Sequence, residues 1–186
     1  MLADEIRKGH ERGWSFTPLS GKKPIQKGWQ RAERASLAES LEYATRGNVG
    51  MRTGFASMII VVDDDTAGDH DLNLPATWTV ETGGRTPDGR PRLQHYYRAR
   101  GFVKNSAGTL AKGVDVRGAG GQVVFVGSRH EDTGELYRWA EGASPEDLPL
   151  ADFPVEIFEL ERDRQLYQVA EMAQSGMSHR DIEQHT

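Results

Sequence analysis

The sequence predicts an α+β fold, a mainly antiparallel (mixed) sheet with flanking helices. Seven short segments rich in β-branched and aromatic residues, each bounded by turn residues, predict strands. Two segments with helical apolar spacing precede them, at residues 2–12 and 36–45. The turn sequence TPDGRP predicts one hairpin, and GAGG at 118–121 predicts another. A chain of 186 residues is long enough for one domain with a substantial core.

The first half of the chain supplies the helices. Ser36 and Glu39 have the spacing of a capping box, which gives the helix at 36–45 a defined start. The lysine-rich sequence PLSGKKPIQKGWQ, with its prolines and glycines, predicts a loop between the two helices. The predicted strands that follow are NVGMRTG, ASMIIVV, WTVETGG, RLQHYYRA, GVDVR, QVVFVGS and ELYRWAE.

The end of the chain differs from the rest. Periodic apolar residues from Pro154 to about Ser175 predict a helix. We therefore expect a catalytic or binding domain over residues 1–150. Residues 151–186 are expected to form a helical tail or the start of a linker to a further module.

The composition excludes several classes of protein. Because there is no cysteine, neither a disulfide framework nor a cysteine-based zinc site can form. No stretch approaches the ~20 apolar residues of a membrane span, and the N-terminus has an amphipathic pattern unlike a signal peptide. We therefore expect a soluble, cytoplasmic protein with no membrane partner.

Charge is distributed unevenly along the chain. Residues 85–130 contain nine Lys and Arg but only two acids, whereas residues 131–163 contain eleven acids and two Arg. The basic segment predicts a surface that attracts phosphate groups, and the acidic segment predicts one kept in solvent. Ordinary solvated faces are the alternative interpretation.

Three consecutive carboxylates end the most apolar predicted strand, IIVVDDD at 59–65. Residues two apart in a strand share a face, so Asp63 and Asp65 point the same way and Asp64 points the opposite way. A divalent cation would allow both like charges to stay ionised, and carboxylate oxygens suit Mg²⁺ or Mn²⁺. The alternative is that Asp65 caps a short helix and the others are solvated.

Other motifs compete for the same string. An EF-hand loop would need acids at positions 67 and 74, which are Ala67 and Leu74. A dehalogenase-type phosphatase would require a helix-rich pattern downstream, where hairpins are predicted instead. A metal-dependent nucleotide-sugar glycosyltransferase, which binds through Asp-x-Asp, remains an alternative.

Two further polar residues lie in later strands. In RLQHYYRA, His95 shares a face with Leu93 and Tyr97 unless a bulge intervenes. In GVDVR, Asp115 shares a face with Arg117. Taken alone, a strand histidine is more often a packed, hydrogen-bonded residue and a strand aspartate a solvent-facing one.

The ordered set of these motifs is more specific than any one of them. The run NVGMRTG, IIVVDDD, TGGR with QHYY, GVDVRGAGGQVVFVGSRH and LYRW, with GKKPIQKGW before it, covers about residues 10–140. It resembles the bifunctional primase-polymerase domain of the archaeo-eukaryotic primase superfamily, found in phage and plasmid replication proteins. The resemblance implies primer synthesis and extension on single-stranded DNA by two-metal nucleotidyl transfer.

The resemblance also implies roles for individual residues. Asp63, Asp65 and Asp115 would hold two ions, Mg²⁺ or Mn²⁺, and His95 would contact the triphosphate of the incoming nucleotide. Further candidates for binding phosphate oxygens are Arg52, Arg117, Ser128, Arg129 and His130.

The implied partners are a single-stranded DNA template with its primer, nucleoside triphosphates and a helicase module that follows or associates at the C-terminus. The implied location is the cytoplasm of a bacterial host or its equivalent. A catalytically silent DNA-binding module of a replication complex is the alternative from another class. Metal binding with nucleotide would discriminate the two, because a pure binding module does not need it.

Overall fold

The computed structural model describes residues 1–159 and, within them, every side chain except those of residues 107–109. Two complete α-helices and ten strands follow one another within this range. They are α1 (Leu2–Glu11), β1 (Phe16–Ser20), β2 (Lys23–Pro24), α2 (Leu37–Arg46), β3 (Asn48–Arg52), β4 (Ile59–Asp64), β5 (Thr79–Arg85), β6 (Pro91–Arg98), β7 (Ser106–Ala111), β8 (Val114–Arg117), β9 (Gln122–Val124) and β10 (Arg138–Trp139).

The strands form two sheets. The first has the order β2-β1-β3-β9 and the second has the order β10-β5-β6-β4-β8-β7. Every ladder between these strands is antiparallel. The predicted α+β class with a mainly antiparallel sheet is confirmed.

Strand β4 is buried on both faces, which explains its unbroken apolar run. Ile59 and Val61 belong to a core shared with the four-stranded sheet and α1. Ile60 and Val62 belong to a second core on the other face of the six-stranded sheet. A central strand covered on both sides gains hydrophobic stabilisation from every residue, so no alternation of apolar and polar residues is needed until the strand ends.

The predicted local signals are largely present. Ser36 and Glu39 form the reciprocal capping box at the start of α2. The sequence TPDGRP makes the turn between β5 and β6, with the Thr86 N–H donating to the Arg90 carbonyl. Both predicted helices, 2–12 and 36–45, are found within a residue of their expected ends.

Four predictions of detail were wrong. The sequence GAGG at 118–121 is no hairpin, because β8 lies in one sheet and β9 in the other. Strand β4 starts only at Ile59, since the preceding residues turn. The segment predicted as a loop between the helices contains the end of β1 and all of β2, and β7 was missed. Whether such segments form strands depends on pairing with neighbouring strands, and the composition of a single segment does not report that pairing.

Residues after the predicted boundary at 150 still contact the sheet. The Arg98 N–H donates to the Ala151 carbonyl, and the Phe153 N–H donates to the Arg98 carbonyl. Phe153 packs in the second core beside Tyr97. Helix begins at residue 155, and the rest of the predicted tail, 160–186, lies outside the described residues. The division of the chain at 150 stays a prediction.

Within residues 1–159, no helix combines the length and the apolar character needed to cross a membrane.

Helix α1 packs on β1 through a glycine. A Cβ at Gly9 would lie 2.5 Å from Cζ of Phe16 and 3.1 Å from the Trp14 ring. Gly9 is buried, and the neighbouring Ile6 belongs to the first core. The missing side chain therefore sets the close approach of the helix to the strand.

We expect Gly9→Ala to lower the free energy of unfolding by about 1–3 kcal/mol, because a methyl group must be forced into a packed contact. Helix propensity alone predicts the opposite sign, since alanine is favoured over glycine by about 1 kcal/mol. Urea unfolding of the variant and the parent measures the difference, with Arg7→Ala on the exposed side of α1 as the control. A stabilised Gly9→Ala protein would contradict the packing argument.

Candidate active site between the two sheets

The three predicted acids meet where β4 and β8 pair. The antiparallel register places Asp63 directly opposite Asp115. The Asp65 N–H continues the ladder by donating to the Gly113 carbonyl at 2.9 Å. Directly opposed residues have Cβ atoms about 5 Å apart on one face. Two strands far apart in sequence thus bring these carboxylates together.

Their face of the sheet borders a cavity of about 320 Å³ between the two sheets. A volume in this range accommodates a small polar ligand. The six-stranded sheet and the four-stranded sheet both contribute to its walls. The lining residues are Lys22, Asp63, Asp65, Thr82, Arg92, Gln94, Arg117, Gln122, Val123, Val124, His130 and Tyr137.

Arg117 lies between two of the acids. Its Nη2 donates to Asp115 at 2.6 Å and to Asp63 at 3.3 Å. Burial raises the pKa of Asp63, the Arg117 guanidinium opposes that rise, and the like charge of Asp65 adds to it. The guanidinium therefore compensates part of a repulsion that the fold imposes on these carboxylates.

The donor set fits a divalent cation by its chemistry. In the part of the chain that the structure describes, no three His, Asp or Glu side chains already surround a common point as metal ligands. The carboxylates of Asp63, Asp65 and Asp115 nevertheless supply oxygen donors, which Mg²⁺ and Mn²⁺ prefer. Burial, more than any neighbouring charge, raises the pKa of Asp63, and a cation beside it would favour the ionised form.

Asp64 faces away from this cavity, as the alternation of the strand predicts. It is fully buried and accepts hydrogen bonds from the N–H and hydroxyl of Thr66 and from the N–H of Gly68. Burial alone would raise its pKa, but the adjacent His95 ring and these donors outweigh it and hold the pKa well below the usual range. Asp64 thus fixes the turn after β4.

The structure does not bring His95 together with the three acids. His95 pairs with Val62, so its ring lies on the same face as Asp64. Its Nδ1 lies 3.0 Å from the Thr79 hydroxyl, and its Nε2 lies 3.8 Å from Asp64. His95 therefore does not border the cavity that Asp63 lines, and its contact with the triphosphate stays a prediction. The reason is the register of β6, which shows no bulge against β4.

Gln94, the neighbour of His95, is the residue of β6 that faces the acids. It pairs directly with Asp63 and lines the cavity. Two residues earlier, Arg92 donates to Asp65 at 3.2 Å. Alternation in RLQHYYRA puts Gln94 and Arg92 on one face. The sequence therefore predicts that these two residues face the same way, but the register with β4, which decides whether that face is the one with the acids, cannot be predicted from it.

His130 brings a ring into the cavity from the segment after β9. It is buried, its ring stacks on Tyr137, and a Cβ added to Gly83 would collide with it. Burial and the nearby Lys22 lower the pKa of His130, which favours the neutral ring. Gly83 of the TGG sequence thereby allows the close approach that positions this histidine.

Several buried polar atoms at the cavity lack a protein partner. Among the described residues, no hydrogen bond reaches Gln94 Oε1, Gln122 Oε1, Arg92 Nε or His130 Nδ1. An unpaired buried polar atom is costly, and a bound polar ligand or water supplies the missing partner. The cavity is therefore better suited to a polar ligand than to an apolar one.

Three other candidates serve the scaffold in this structure. Arg52 is buried, and its guanidinium donates to the carbonyls of Ala32 and Gln30. The Ser128 hydroxyl binds the backbone of Val49. Arg129 donates to the Gly134 carbonyl. None of the three lines the cavity of the acids, in contrast to Arg117 and His130.

The charged segments do not stay apart. Arg98 and Arg100 both pair with Asp152, and Arg85 pairs with Glu135. The acidic segment thus neutralises part of the basic one, contrary to the expectation that it faces solvent by itself. Arg92, Arg117 and Lys22 are the basic residues directed at the cavity.

The family follows from comparison with known sequences. The model of the bifunctional DNA primase/polymerase N-terminal domain matches residues 8–154, and the chain belongs to this family. The matched residues include both sheets and the cavity between them. Membership makes the chain a primase-polymerase nucleotidyltransferase domain of DNA replication, with DNA and nucleotides as substrates. No curated protein has significant sequence similarity to the chain.

We expect Asp64→Ala to lower the free energy of unfolding by at least about 1.5–3 kcal/mol, the contribution of a single hydrogen bond to a charged group. The substitution leaves the N–H groups of Thr66 and Gly68 without their acceptor. Urea unfolding measures the loss, and Asp69→Ala, an exposed acid of the same turn, is the matched control. Equal stability of the two variants would show that the buried carboxylate does not hold the turn.

Proposed function

We propose that this domain synthesises and extends primers on single-stranded DNA with two divalent ions, Mg²⁺ or Mn²⁺, held by Asp63, Asp65 and Asp115. The observation that carries the proposal is the direct opposition of Asp115 to Asp63, which lines a cavity with basic side chains in its walls. When bound, the ions would supply activation of a 3′-hydroxyl and neutralisation of the leaving pyrophosphate. The phage or plasmid setting is part of the proposal and is supported by the resemblance in sequence.

The residues of the cavity have different roles, which follow from their chemistry. Arg92, Lys22 and the neutral His130 offer donors for the oxygens of a triphosphate. Arg117 keeps Asp63 and Asp115 at short range despite their like charge. Gln94 offers an amide to the group that lies next to Asp63. These side chains orient the nucleotide phosphate where the charge of the reaction develops.

Two sheets around the cavity favour an enzyme over a silent module. A DNA-binding surface needs exposed donors, whereas Asp63 and Asp65 place carboxylates on the wall of this cavity that would repel a DNA backbone. Cation binding accounts for three acids on one face, whose charge Arg117 and Arg92 offset in part. A catalytically silent DNA-binding module remains the second candidate, and the family match leaves the nucleotide-sugar glycosyltransferase without support.

We expect Asp63→Asn, Asp65→Asn and Asp115→Asn each to reduce primer extension by at least about 100-fold, because each removes a ligand charge at the reacting centre. Extension of a labelled primer in Mn²⁺ and Mg²⁺ measures this loss. Glu81→Gln is the matched control, since Glu81 lies on the same sheet but pairs with Arg138.

Binding of Mn²⁺ with nucleotide, followed by electron paramagnetic resonance, separates the two candidate functions. A parent protein that binds single-stranded DNA but neither Mn²⁺ nor nucleotide is a silent module, and the proposal then fails.

A second set of variants decides which residue of β6 meets the nucleotide. We expect Gln94→Ala to raise the KM for nucleotide or lower kcat by about 10-fold, because it removes a hydrogen-bonding group at the cavity. We expect His95→Ala to leave both constants within about twofold while it lowers stability through Asp64 and Thr79. Steady-state extension kinetics and urea unfolding of both variants give the answer. The reverse result would return the triphosphate contact to His95.

A further inference from the structure

Two phenylalanines lie in solvent at the end of the sheet where β4 begins. Phe55 is 58% exposed and Phe102 is 69% exposed. Their ring centroids are 6.2 Å apart with an interplanar angle of 34°. Large aromatic side chains are most often found in buried cores and interfaces. Two of them exposed side by side therefore indicate a binding surface.

The loops that hold the two rings are packed against each other. A Cβ on Gly54 would lie 2.6 Å from Cα of Ala119, and one on Gly118 would collide with the Val103 carbonyl. The Ala119 N–H donates to that carbonyl at 2.8 Å, and the Thr53 hydroxyl donates to the Gly118 carbonyl at 2.7 Å. Three chain segments, 53–58, 99–105 and 118–121, therefore form one unit with little freedom to reorganise.

The surroundings of the rings carry positive charge. A groove of about 400 Å³ next to Phe55 is lined by Trp29, Arg31 and the buried Arg52, and no acid lines it. Arg31 and Lys104 are exposed, and neither takes part in an ion pair among residues 1–159. Arg52 donates only to carbonyl and hydroxyl oxygens, so its charge is also without a carboxylate partner.

Proteins bind single-stranded nucleic acid through exposed aromatic rings that lie near unpaired basic side chains. Bases stack on the rings whatever their sequence, and basic side chains neutralise the phosphates. A purely apolar protein partner would not require the unpaired Arg31 and Lys104.

We propose that Phe55 and Phe102, with Arg31 and Lys104 beside them, form a base-stacking platform for the single-stranded DNA template. This assignment rests on the proposed function, since it takes the nucleic acid to be the template.

The platform is connected to the cavity by the chain itself. Arg117, which lies between Asp63 and Asp115, immediately precedes the platform segment 118–121. Ile59, the first residue of β4, follows the loop of Phe55, and Asp63 is four residues further along the same strand. At about 3.3 Å per residue, the part of β4 from Ile59 to Asp63 spans roughly 13 Å. A template held on the rings can therefore reach the reacting centre within a few nucleotides.

The test measures DNA binding without nucleotide or metal, so that it does not depend on catalysis. The probes are a short fluorescein-labelled oligothymidine and an abasic strand of the same length, followed by fluorescence anisotropy in EDTA over a salt series. The variants are Phe55→Ala, Phe102→Ala, Phe55→Tyr, Phe55→Leu and Arg31→Gln, with Leu37→Ala as an exposed apolar control on α2.

We expect each alanine variant to weaken oligothymidine binding by about 5- to 150-fold, the range for losing one stacked base. Binding of the abasic strand, and the salt slope, should stay as in the parent. Phe55→Tyr should keep the affinity and Phe55→Leu should lose it, because only the former has an aromatic face. Arg31→Gln should make the log-log salt slope shallower by about 0.7, as for one phosphate.

Other results overturn the platform. Unchanged affinity of both alanine variants, equal losses on the abasic strand, or rescue by Phe55→Leu would each exclude base stacking. Changed self-association by sedimentation with unchanged DNA affinity would make the rings an interface between copies. A parent that extends primers while the alanine variants bind normally leaves the proposed function intact. A parent that stacks DNA on these rings but extends no primer leaves the platform intact and refutes the proposed function.

Discussion

The pairing of β4 with β8 and β6 is the constraint on which the site depends. Four apolar residues of β4 are buried in two separate cores, so the strand cannot shift by one residue without moving each core side chain to the wrong face. That fixed register presents Asp63 to Asp115 and to Gln94. The hydrophobic effect thus positions charges that would otherwise repel one another.

The parts of the site that could be predicted from sequence are those set by local periodicity. Alternation within one strand was enough to put Asp63 and Asp65 on one face and Asp64 on the other. The capping box of α2 could likewise be predicted, because its two partners lie three residues apart. Such signals need no knowledge of a distant segment.

The parts that could not be predicted depend on register and on packing between sheets. A shift of a single residue separates Gln94 from His95, and no feature of RLQHYYRA fixes how that strand aligns with β4. Lys22 and Gln122 enter the cavity from the four-stranded sheet, whose position relative to the acids is a tertiary fact. Ion pairs could not be predicted either, as those of Arg98 and Arg100 with Asp152 show. A run of like charges in the sequence does not reveal which opposite charges lie next to it in the fold.

Three connections between the sheets surround the site, and two of them lie on either side of the acids' strand. Residues 53–58 lead from the four-stranded sheet into β4, and residues 118–121 lead back from β8 to β9. Both are short, and both lie at the end of the sheets where β4 begins. The sheets are thus held together at that end. At the other end, where Asp65 lies, the segment that joins β9 to β10 holds them together again, because His130 packs against Gly83 and the Thr133 hydroxyl donates to the Gly83 carbonyl. A cavity anchored at both ends keeps its side chains in one arrangement before a ligand arrives, which lowers the ordering cost of binding.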